Sequence, residues 1–211
     1  WRWDAEVQFL ASRGYVVLQP EFRGSTGYGG AHFEAGFGQW GRAMQDDVAD
    51  AAKWAVAQGH ADGQRICLAG ASYGGYATLM GLANDPALFR CGVAWVGVTD
   101  VQLLFSAAWS DMTERAKEYG MKRMIGDPVA DAERLQAVSP VHQAARIRQP
   151  LLLAYGRWDT RVPIEHGERP VRFVVKDEHG FSTTIDYRLV GPEHDHDEAH
   201  GEKPAEPAPA H

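Results

Sequence analysis

Ser72 stands in a segment that could present its hydroxyl group as a nucleophile. Residues 70–75 read Gly-Ala-Ser-Tyr-Gly-Gly and directly follow the apolar run 66–69. This Gly-x-Ser-x-Gly pattern is typical of a nucleophile elbow, a strained strand-to-helix turn that holds a serine out at the end of a sheet. We therefore predict a short buried strand over 65–69, a helix over 76–83 and an attacking serine between them.

Asp159 and His179 are the residues that could activate this serine. A serine hydroxyl is a weak nucleophile at neutral pH and needs a histidine base that a carboxylate orients; in α/β-hydrolases these groups follow in the order Ser, Asp or Glu, His. Asp159 comes after the apolar run 151–155, at the carboxyl end of a predicted strand, where ligand-facing residues of an open α/β sheet collect. His179 follows the strand candidate 171–175 and is the favoured base, while His166, in a short predicted helix, is the alternative.

The residue after the serine supplies the predicted oxyanion donor. When a serine in an elbow attacks a carbonyl group, the carbonyl oxygen becomes negative, and a backbone N–H of the following residue stabilises it. In this chain that N–H belongs to Tyr73.

The rest of the pattern predicts the elements that position these groups. A helix is expected over 4–12 and a strand over 15–18, followed by a helix over 44–58 whose apolar side chains share one face. The runs 91–98 and 151–155 are apolar on both faces, as the strands of a parallel sheet covered on both sides are. Strands that alternate with helices indicate an open α/β sheet.

Composition and charge exclude several classes of function. The chain has 211 residues, 45% of them hydrophobic, which suits one domain with a substantial core. The formal net charge of −7 argues against a nucleic-acid partner, and the apolar runs are too short to cross a membrane. Most of this charge lies in 191–211, which is rich in Pro, Glu and His and is predicted as a disordered tail behind a domain of residues 1–190. Oligomeric state and compartment stay open.

Cys67 and Cys91 each lie in an apolar, strand-like run. A reduced cysteine in such a run behaves as a small hydrophobic residue, so we predict two reduced cysteines rather than a disulfide. No Cys or His spacing resembles a zinc site, and no metal or cofactor is expected.

Taken together, several segments resemble the prolyl oligopeptidase family of serine peptidases, especially its dipeptidyl-peptidase and acylaminoacyl-peptidase branch. The resemblance extends from about residue 3 to residue 166 and rests on residues 21–29 (Glu-Phe-Arg-Gly-Ser-Thr-Gly-Tyr-Gly), 44–48 (Met-Gln-Asp-Asp-Val), 70–76 (Gly-Ala-Ser-Tyr-Gly-Gly-Tyr), 139–140 (Ser-Pro) and 159–163 (Asp-Thr-Arg-Val-Pro). It implies an α/β-hydrolase fold with helices on both faces of a mostly parallel sheet. It also implies hydrolysis of peptide bonds in short peptides, without a cofactor.

The same resemblance assigns residues to the site. It implies that Ser72 is the nucleophile, Asp159 the orienting acid and His179 the base. It further implies that Tyr73, Val96 and Thr99 lie near the pocket for the residue before the scissile bond.

The chain departs from the family pattern at three places. By comparison with the family pattern, we expect the chain to lack the first strands, with the loop that usually supplies a second oxyanion donor, and the propeller domain that usually precedes them. His179 lies only 20 positions after Asp159, a shorter spacing than usual, which leaves a crossover to 171–175 close to the minimum length. Glu178 replaces the glycine that usually precedes the base, and residues 182–190 with the tail replace the terminal helix.

Three functions are therefore compatible with the sequence. A serine peptidase acting on short peptides is the leading hypothesis. A site without a propeller would also suit a small-ester hydrolase, because access is less restricted. The short segment between Asp159 and His179 would suit a catalytically silent remnant that acts as an interaction module.

Overall fold

The computed structural model describes residues 3–106, 113–156 and 158–168, together with the backbone of 173–176 and 182–185. The strands in this part of the chain are β1 Cys67–Ala71, β2 Cys91–Trp95, β3 Leu151–Ala154, β4 Phe173–Lys176 and β5 Ser182–Ile185. The α-helices are α1 Ala5–Ser12, α2 Gly30–Glu34, α3 Ala43–Ala57, α4 Tyr73–Asn84, α5 Leu103–Ser106, α6 Lys122–Met124, α7 Ala132–Ala137, α8 Pro140–Gln143 and α9 Glu165–Glu168. A π-helix spans Ala116–Met121 and a 3₁₀-helix spans Ala144–Arg146.

A parallel sheet in the order β1-β2-β3 forms the centre of the fold. Its register pairs Ala71 with Trp95 and Trp95 with Ala154, so the three strands end side by side. Parallel neighbours of this kind require crossover connections, and helices supply them. The predicted α/β architecture is confirmed, and the residues that follow the three strands lie at one edge of the sheet.

Helix α4 packs against both β1 and β2 and carries much of the core. All residues from Gly75 to Ala83 are buried, because the helix contains no charged side chain that would need water. Tyr76 belongs to one apolar cluster, with Val98 and Leu135, and Leu82 belongs to a second one. The turn that precedes α4 is therefore held against the sheet by a fully packed helix.

The two helices predicted before the elbow are confirmed to within one residue. In α1 the Asp4 side chain accepts hydrogen bonds from the N–H groups of Glu6 and Val7, both at 3.1 Å, and so caps the helix. Helix α3 covers Ala43–Ala57, against an expected 44–58. Among the described residues, no helix is both long and apolar enough to cross a lipid bilayer.

Two strand predictions were wrong in detail. The structure assigns no strand to residues 15–18, and Tyr15 and Val16 are about two-thirds exposed. Side chains that favour strands do not make one unless a neighbouring strand pairs with the backbone, and no described strand does so at this segment. Strand β1 lies two residues later than predicted, and its alternate residues are exposed instead of buried, since successive residues of a strand lie on opposite faces of the sheet.

Strand β4 does not follow the predicted course either. We expected the strand after Asp159 to run parallel to the main sheet after a crossover. Instead β4 pairs with β5 in an antiparallel ladder, with Phe173 opposite Ile185. A hairpin between segments close in the chain closes a shorter loop than a crossover does, so it costs less chain entropy. The predicted tail 191–211 and its boundary at residue 190 lie outside the described residues.

The prediction of two reduced cysteines was also wrong. Cys67 and Cys91 are joined in a disulfide, and their Cα atoms are 4.7 Å apart. Their pairing follows from the register, because β1 and β2 place these two residues directly opposite each other. The spacing of the cysteines in the sequence carries no sign of this, since it depends on how two strands align.

Candidate active site

Ser72 occupies the turn between β1 and α4 in a backbone conformation that is rare for a residue with a side chain. Its φ of 55° and ψ of −116° lie in the region that favours glycine. The turn is fixed on both sides, because the Ser72 N–H donates to the Trp95 carbonyl at 3.1 Å and the Ser72 carbonyl accepts from the Tyr76 N–H at 3.0 Å. Such strain persists only where the surrounding structure enforces it, and it is frequent at active sites.

The side chain of Ser72 is not used to cap the helix. Ser72 holds the N-cap position of α4, where a serine commonly accepts a hydrogen bond from the first free N–H groups of the helix. In this turn the side chain makes no capping bond, and the residue is exposed. The hydroxyl group is thus accessible, beside the positive end of a helix dipole.

Close backbone contacts explain the glycines around the serine. A Cβ atom on Gly70 would lie 2.6 Å from the carbonyl carbon of Gly74. A Cβ atom on Gly75 would lie 2.6 Å from the Cα atom of Gly97, in the segment after β2. Both glycines let the helix approach the sheet edge so closely that any side chain would push the two apart.

The segment after β2 makes a second strained turn at the same edge. Val96 has a φ of 45°, which is rare for a β-branched residue, and its N–H donates to the Ala154 carbonyl at 2.7 Å. The Tyr155 hydroxyl donates to the Gly97 carbonyl at 2.8 Å. The chain segments that leave β2 and β3 are therefore bonded to each other, directly beside the elbow.

Asp159 lies five residues after β3, at the edge of the sheet where Ser72 also lies. Its Oδ1 atom accepts hydrogen bonds from the N–H groups of Arg161 at 2.8 Å and Val162 at 2.9 Å. These bonds hold the half-buried carboxylate in one orientation. The fold thus brings two of the three predicted catalytic residues to one edge of the sheet.

Of the two candidate bases, the structure describes His166 but not His179. His166, on α9, is 1% exposed, and its Nδ1 accepts a hydrogen bond from the Thr99 N–H at 3.2 Å. The Thr99 hydroxyl donates to the backbone carbonyl of His166 at 2.7 Å. These bonds tie α9 to the segment after β2 and favour a structural role for His166. His179 lies outside the described residues, and its role as the base stays a prediction.

Tyr73, the predicted oxyanion donor, is the first residue of α4 and has its ring in an aromatic cluster. Its ring centroid lies 4.6 Å from that of Trp40, 5.2 Å from that of Phe22 and 5.5 Å from that of Tyr76. Burial, and secondarily the charge of Asp47, raise the pKa of the Tyr73 hydroxyl well above its ordinary value, so the group is neutral at physiological pH. The N–H groups at a helix start have no partner within the helix and are suited to bind an oxyanion.

The comparison with known proteins identifies the family. The model of the prolyl oligopeptidase family matches residues 1–199 of the chain. The chain belongs to the prolyl oligopeptidase family. This confirms the resemblance inferred from the sequence motifs, and with it the membership of a family of serine peptidases.

Individual members of the prolyl oligopeptidase family agree with this assignment. Dipeptidyl aminopeptidase BIII of Pseudoxanthomonas mexicana is 41% identical over 170 residues, which cover 78% of this chain and 24% of that protein. Dipeptidyl peptidase family member 6 of Caenorhabditis elegans is 40% identical over 157 residues, which cover 73% of this chain and 21% of that protein. This chain therefore spans about a quarter of the length of the curated relatives it matches.

A solved structure confirms the fold. The crystal structure of puromycin hydrolase superposes with a TM-score of 0.64 at 28% sequence identity, over 72% of this chain and 23% of that one. The predicted α/β-hydrolase fold is confirmed by this likeness.

Arg23 and Asp47 form an ion pair beside the elbow that the sequence analysis did not predict. Asp47 Oδ2 accepts from the Arg23 backbone N–H at 3.0 Å and from Nε at 2.7 Å, and Oδ1 accepts from Nη2 at 2.7 Å. Both residues lie in family motifs, but nothing in the sequence indicates that these positions, 24 residues apart, make contact. The hydrogen bonds from Arg23 hold the pKa of Asp47 below its ordinary value.

We expect Asp47→Asn to lower the free energy of unfolding by about 1–2 kcal/mol at pH 7, a figure discounted because the Arg23 side chain is 39% exposed. A carboxylate with a lowered pKa stabilises the fold above the pKa of the unfolded state, about 3.9, and this contribution is lost as the pH falls through the folded-state pKa. Urea titrations of the parent chain and the variant from pH 7 to pH 3 measure this contribution to stability. The difference in free energy of unfolding between the parent chain and the variant should narrow below about pH 4. A difference that is constant with pH would show that the ionised Asp47 carboxylate does not stabilise the fold.

No resident metal site is indicated by the side chains that can be described. Within the described ranges, no group of three or more His, Cys, Asp or Glu side chains could hold a metal ion. The polar groups described at the sheet edge are a hydroxyl, a carboxylate and backbone N–H donors. This set is suited to attack on a carbonyl group by a protein nucleophile.

Proposed function

We propose that this chain carries the catalytic centre of a serine-type peptidase that hydrolyses peptide bonds in short peptides. The observation that carries the proposal is the conformation of Ser72. This exposed serine has a strained backbone, precedes a buried helix and makes no capping hydrogen bond with its hydroxyl group. A strained serine whose hydroxyl makes no capping bond is suited to a reactive role, because such strain is frequent at active sites. The names of the peptidases that the chain resembles support a peptide substrate.

In the proposed reaction, Ser72 Oγ attacks the scissile carbonyl carbon and its proton passes to the imidazole of His179. The electron pair of the carbonyl bond moves to the oxygen, and the N–H of Tyr73 stabilises the resulting oxyanion. The tetrahedral intermediate then collapses, the leaving amine takes the proton from His179, and an acyl-enzyme remains on Ser72. Water, deprotonated by His179, releases the acid product and restores the serine.

Asp159 and the pocket residues complete the proposal. The Asp159 carboxylate orients His179 and stabilises its protonated form, while its Oδ1 stays bonded to two backbone N–H groups. The pocket for the residue before the scissile bond lies near Tyr73, Val96 and the buried Thr99. Val96 suits this position because its strained turn lies at the end of β2, between the strands that carry Ser72 and Asp159.

Covalent labelling tests the proposal. A fluorophosphonate probe reacts with an activated serine and should label the parent chain at Ser72, as peptide mass spectrometry would show. Ser72→Ala should lose the label, whereas Ser12→Ala, an exposed serine on α1, should keep it. Labelling that survives in Ser72→Ala, or no labelling of the folded parent, would refute the proposed nucleophile.

A second function is favoured by one observation, the pairing of β4 with β5 instead of with the main sheet. If the chain after Asp159 does not return to the sheet edge, His179 has no fixed position beside Ser72, and the chain would be a catalytically silent interaction module. Turnover of an aminoacyl p-nitroanilide that depends on Ser72 would exclude this function. Parallel assays with an acetyl ester would separate a peptidase from a small-ester hydrolase.

A further inference from the structure

We propose that Asp47 is a positioning residue of the nucleophile elbow, and that it acts through Arg23 and Phe22 on Tyr73. The effect on turnover rests on the proposed function. The mechanical coupling between Asp47 and the elbow does not, because it is a property of the fold.

The first link is the attachment of the loop before α2 to helix α3. Asp47, on α3, uses both carboxylate oxygens to accept three hydrogen bonds from Arg23, two from the guanidinium group and one from the backbone. A bidentate pair of this kind fixes direction as well as distance. The extra bond from the backbone N–H means that Asp47 holds the main chain of the loop and not only a flexible side chain.

The second link is close packing on the other side of the loop. The Gly24 N–H donates to the His32 carbonyl at 2.9 Å, and a Cβ atom on Gly36 would lie 2.5 Å from the Gly24 Cα atom. The loop is thus confined between α3 and the segment around α2. The Asp47 carboxylate therefore supplies the contact on the α3 side of the loop, and its loss would leave only the contacts with the segment around α2.

The third link joins the loop to the elbow. Phe22 precedes Arg23 in the chain, and its ring lies against the ring of Tyr73, with centroids 5.2 Å apart. Trp40 holds the same ring from a second direction, edge-on at 4.6 Å. Because Tyr73 directly follows Ser72, contacts that hold its ring also restrain the backbone that carries its N–H and the neighbouring serine.

The expected effect is on the chemical step more than on binding. A displacement of about 1 Å in a catalytic group can cost 10²-fold in rate, and a partial loosening should cost about tenfold. We therefore expect Asp47→Asn to lower kcat about tenfold and to leave KM within about twofold, since the Arg23–Asp47 pair reaches the elbow through the rings of Phe22 and Tyr73. The rate of labelling of Ser72 should fall by a similar factor.

Hydrogen exchange measures the coupling without any need for activity. The N–H groups of Ser72 and Tyr76 are both bonded across the elbow, so a peptide covering 72–76 reports on its rigidity. The control is Asp131→Asn, which breaks the pair between Asp131, the residue before α7, and Arg134 on α7. In this pair the aspartate is 39% and the arginine 25% exposed, the reverse of the pair between Asp47 and Arg23. We expect Asp47→Asn to speed exchange in 72–76 several-fold and Asp131→Asn to leave it unchanged.

Each outcome decides the proposal. Faster exchange at the elbow in Asp47→Asn alone supports it, and equal exchange in the two variants overturns it. If Asp47→Asn does not fold, Arg23→Lys, which keeps the charge but loses the forked pair, replaces it in the same comparison. If the parent chain shows no labelling at Ser72, the proposed function fails, while the exchange data still decide whether Asp47 positions the elbow.

Discussion

Replacing Asp159 with asparagine is expected to lower kcat by about 10⁴-fold with little change in stability. The asparagine side-chain oxygen can keep the two hydrogen bonds from Arg161 and Val162, so the local turn survives. In the proposed triad, however, its amide group would donate to the imidazole of His179, where the Asp159 carboxylate is proposed to accept. The histidine would then be held in the wrong tautomer and could not take the serine proton. Steady-state kinetics on an aminoacyl p-nitroanilide, beside thermal melts, measure both effects.

Asp127 offers a closely matched control for this substitution. Its Oδ1 atom accepts hydrogen bonds from the N–H groups of Val129 and Ala130 at 2.8 and 2.9 Å, the same arrangement that Asp159 makes. Asp127 also pairs with Lys122 at 3.2 Å, so Asp127→Asn should carry at least the structural cost of the change and leave kcat unaltered. Equal activity of the two variants would show that Asp159 has no part in catalysis.

Gly70→Ala is expected to destabilise the fold by about 3 kcal/mol and to reduce activity with it. The new Cβ atom would lie 2.6 to 2.8 Å from three backbone atoms of Gly74, and backbone cannot move aside as the end of a side chain can. The start of α4 would have to shift away from β1, and Ser72 would shift with it. Chemical denaturation and the rate of fluorophosphonate labelling report the two consequences.

Gly74, whose backbone lies against Gly70, provides the comparison for stability. A Cβ atom on Gly74 would meet no other atom within 4 Å, and alanine favours helix over glycine by up to about 1 kcal/mol. Gly74→Ala should therefore be at least as stable as the parent chain. If both alanine variants have the same stability, close packing is not the reason for glycine at position 70.

The sequence predicted those parts of the fold whose signals are local. Helices α1 and α3 appear within one residue of their expected bounds, since amphipathic spacing and end signals act over a few residues. Strands β1, β2 and β3 also form where apolar runs predicted them, although β1 is shifted by two residues. The segment 15–18 has the composition of a strand but no partner among the described strands, and β4 paired with β5 because partner choice is not encoded in either strand alone.

The candidate site also has one part that the local sequence predicts and another that depends on tertiary contacts. The elbow at Ser72 is determined by the sequence itself, because the need for small residues around a strained serine arises within six consecutive residues. The contact of Asp47 with Arg23, the bonds between Thr99 and His166 and the disulfide of Cys67 were decided only by the tertiary structure. These contacts join residues at least 24 positions apart, so they depend on strand register and helix packing, which the whole chain sets together.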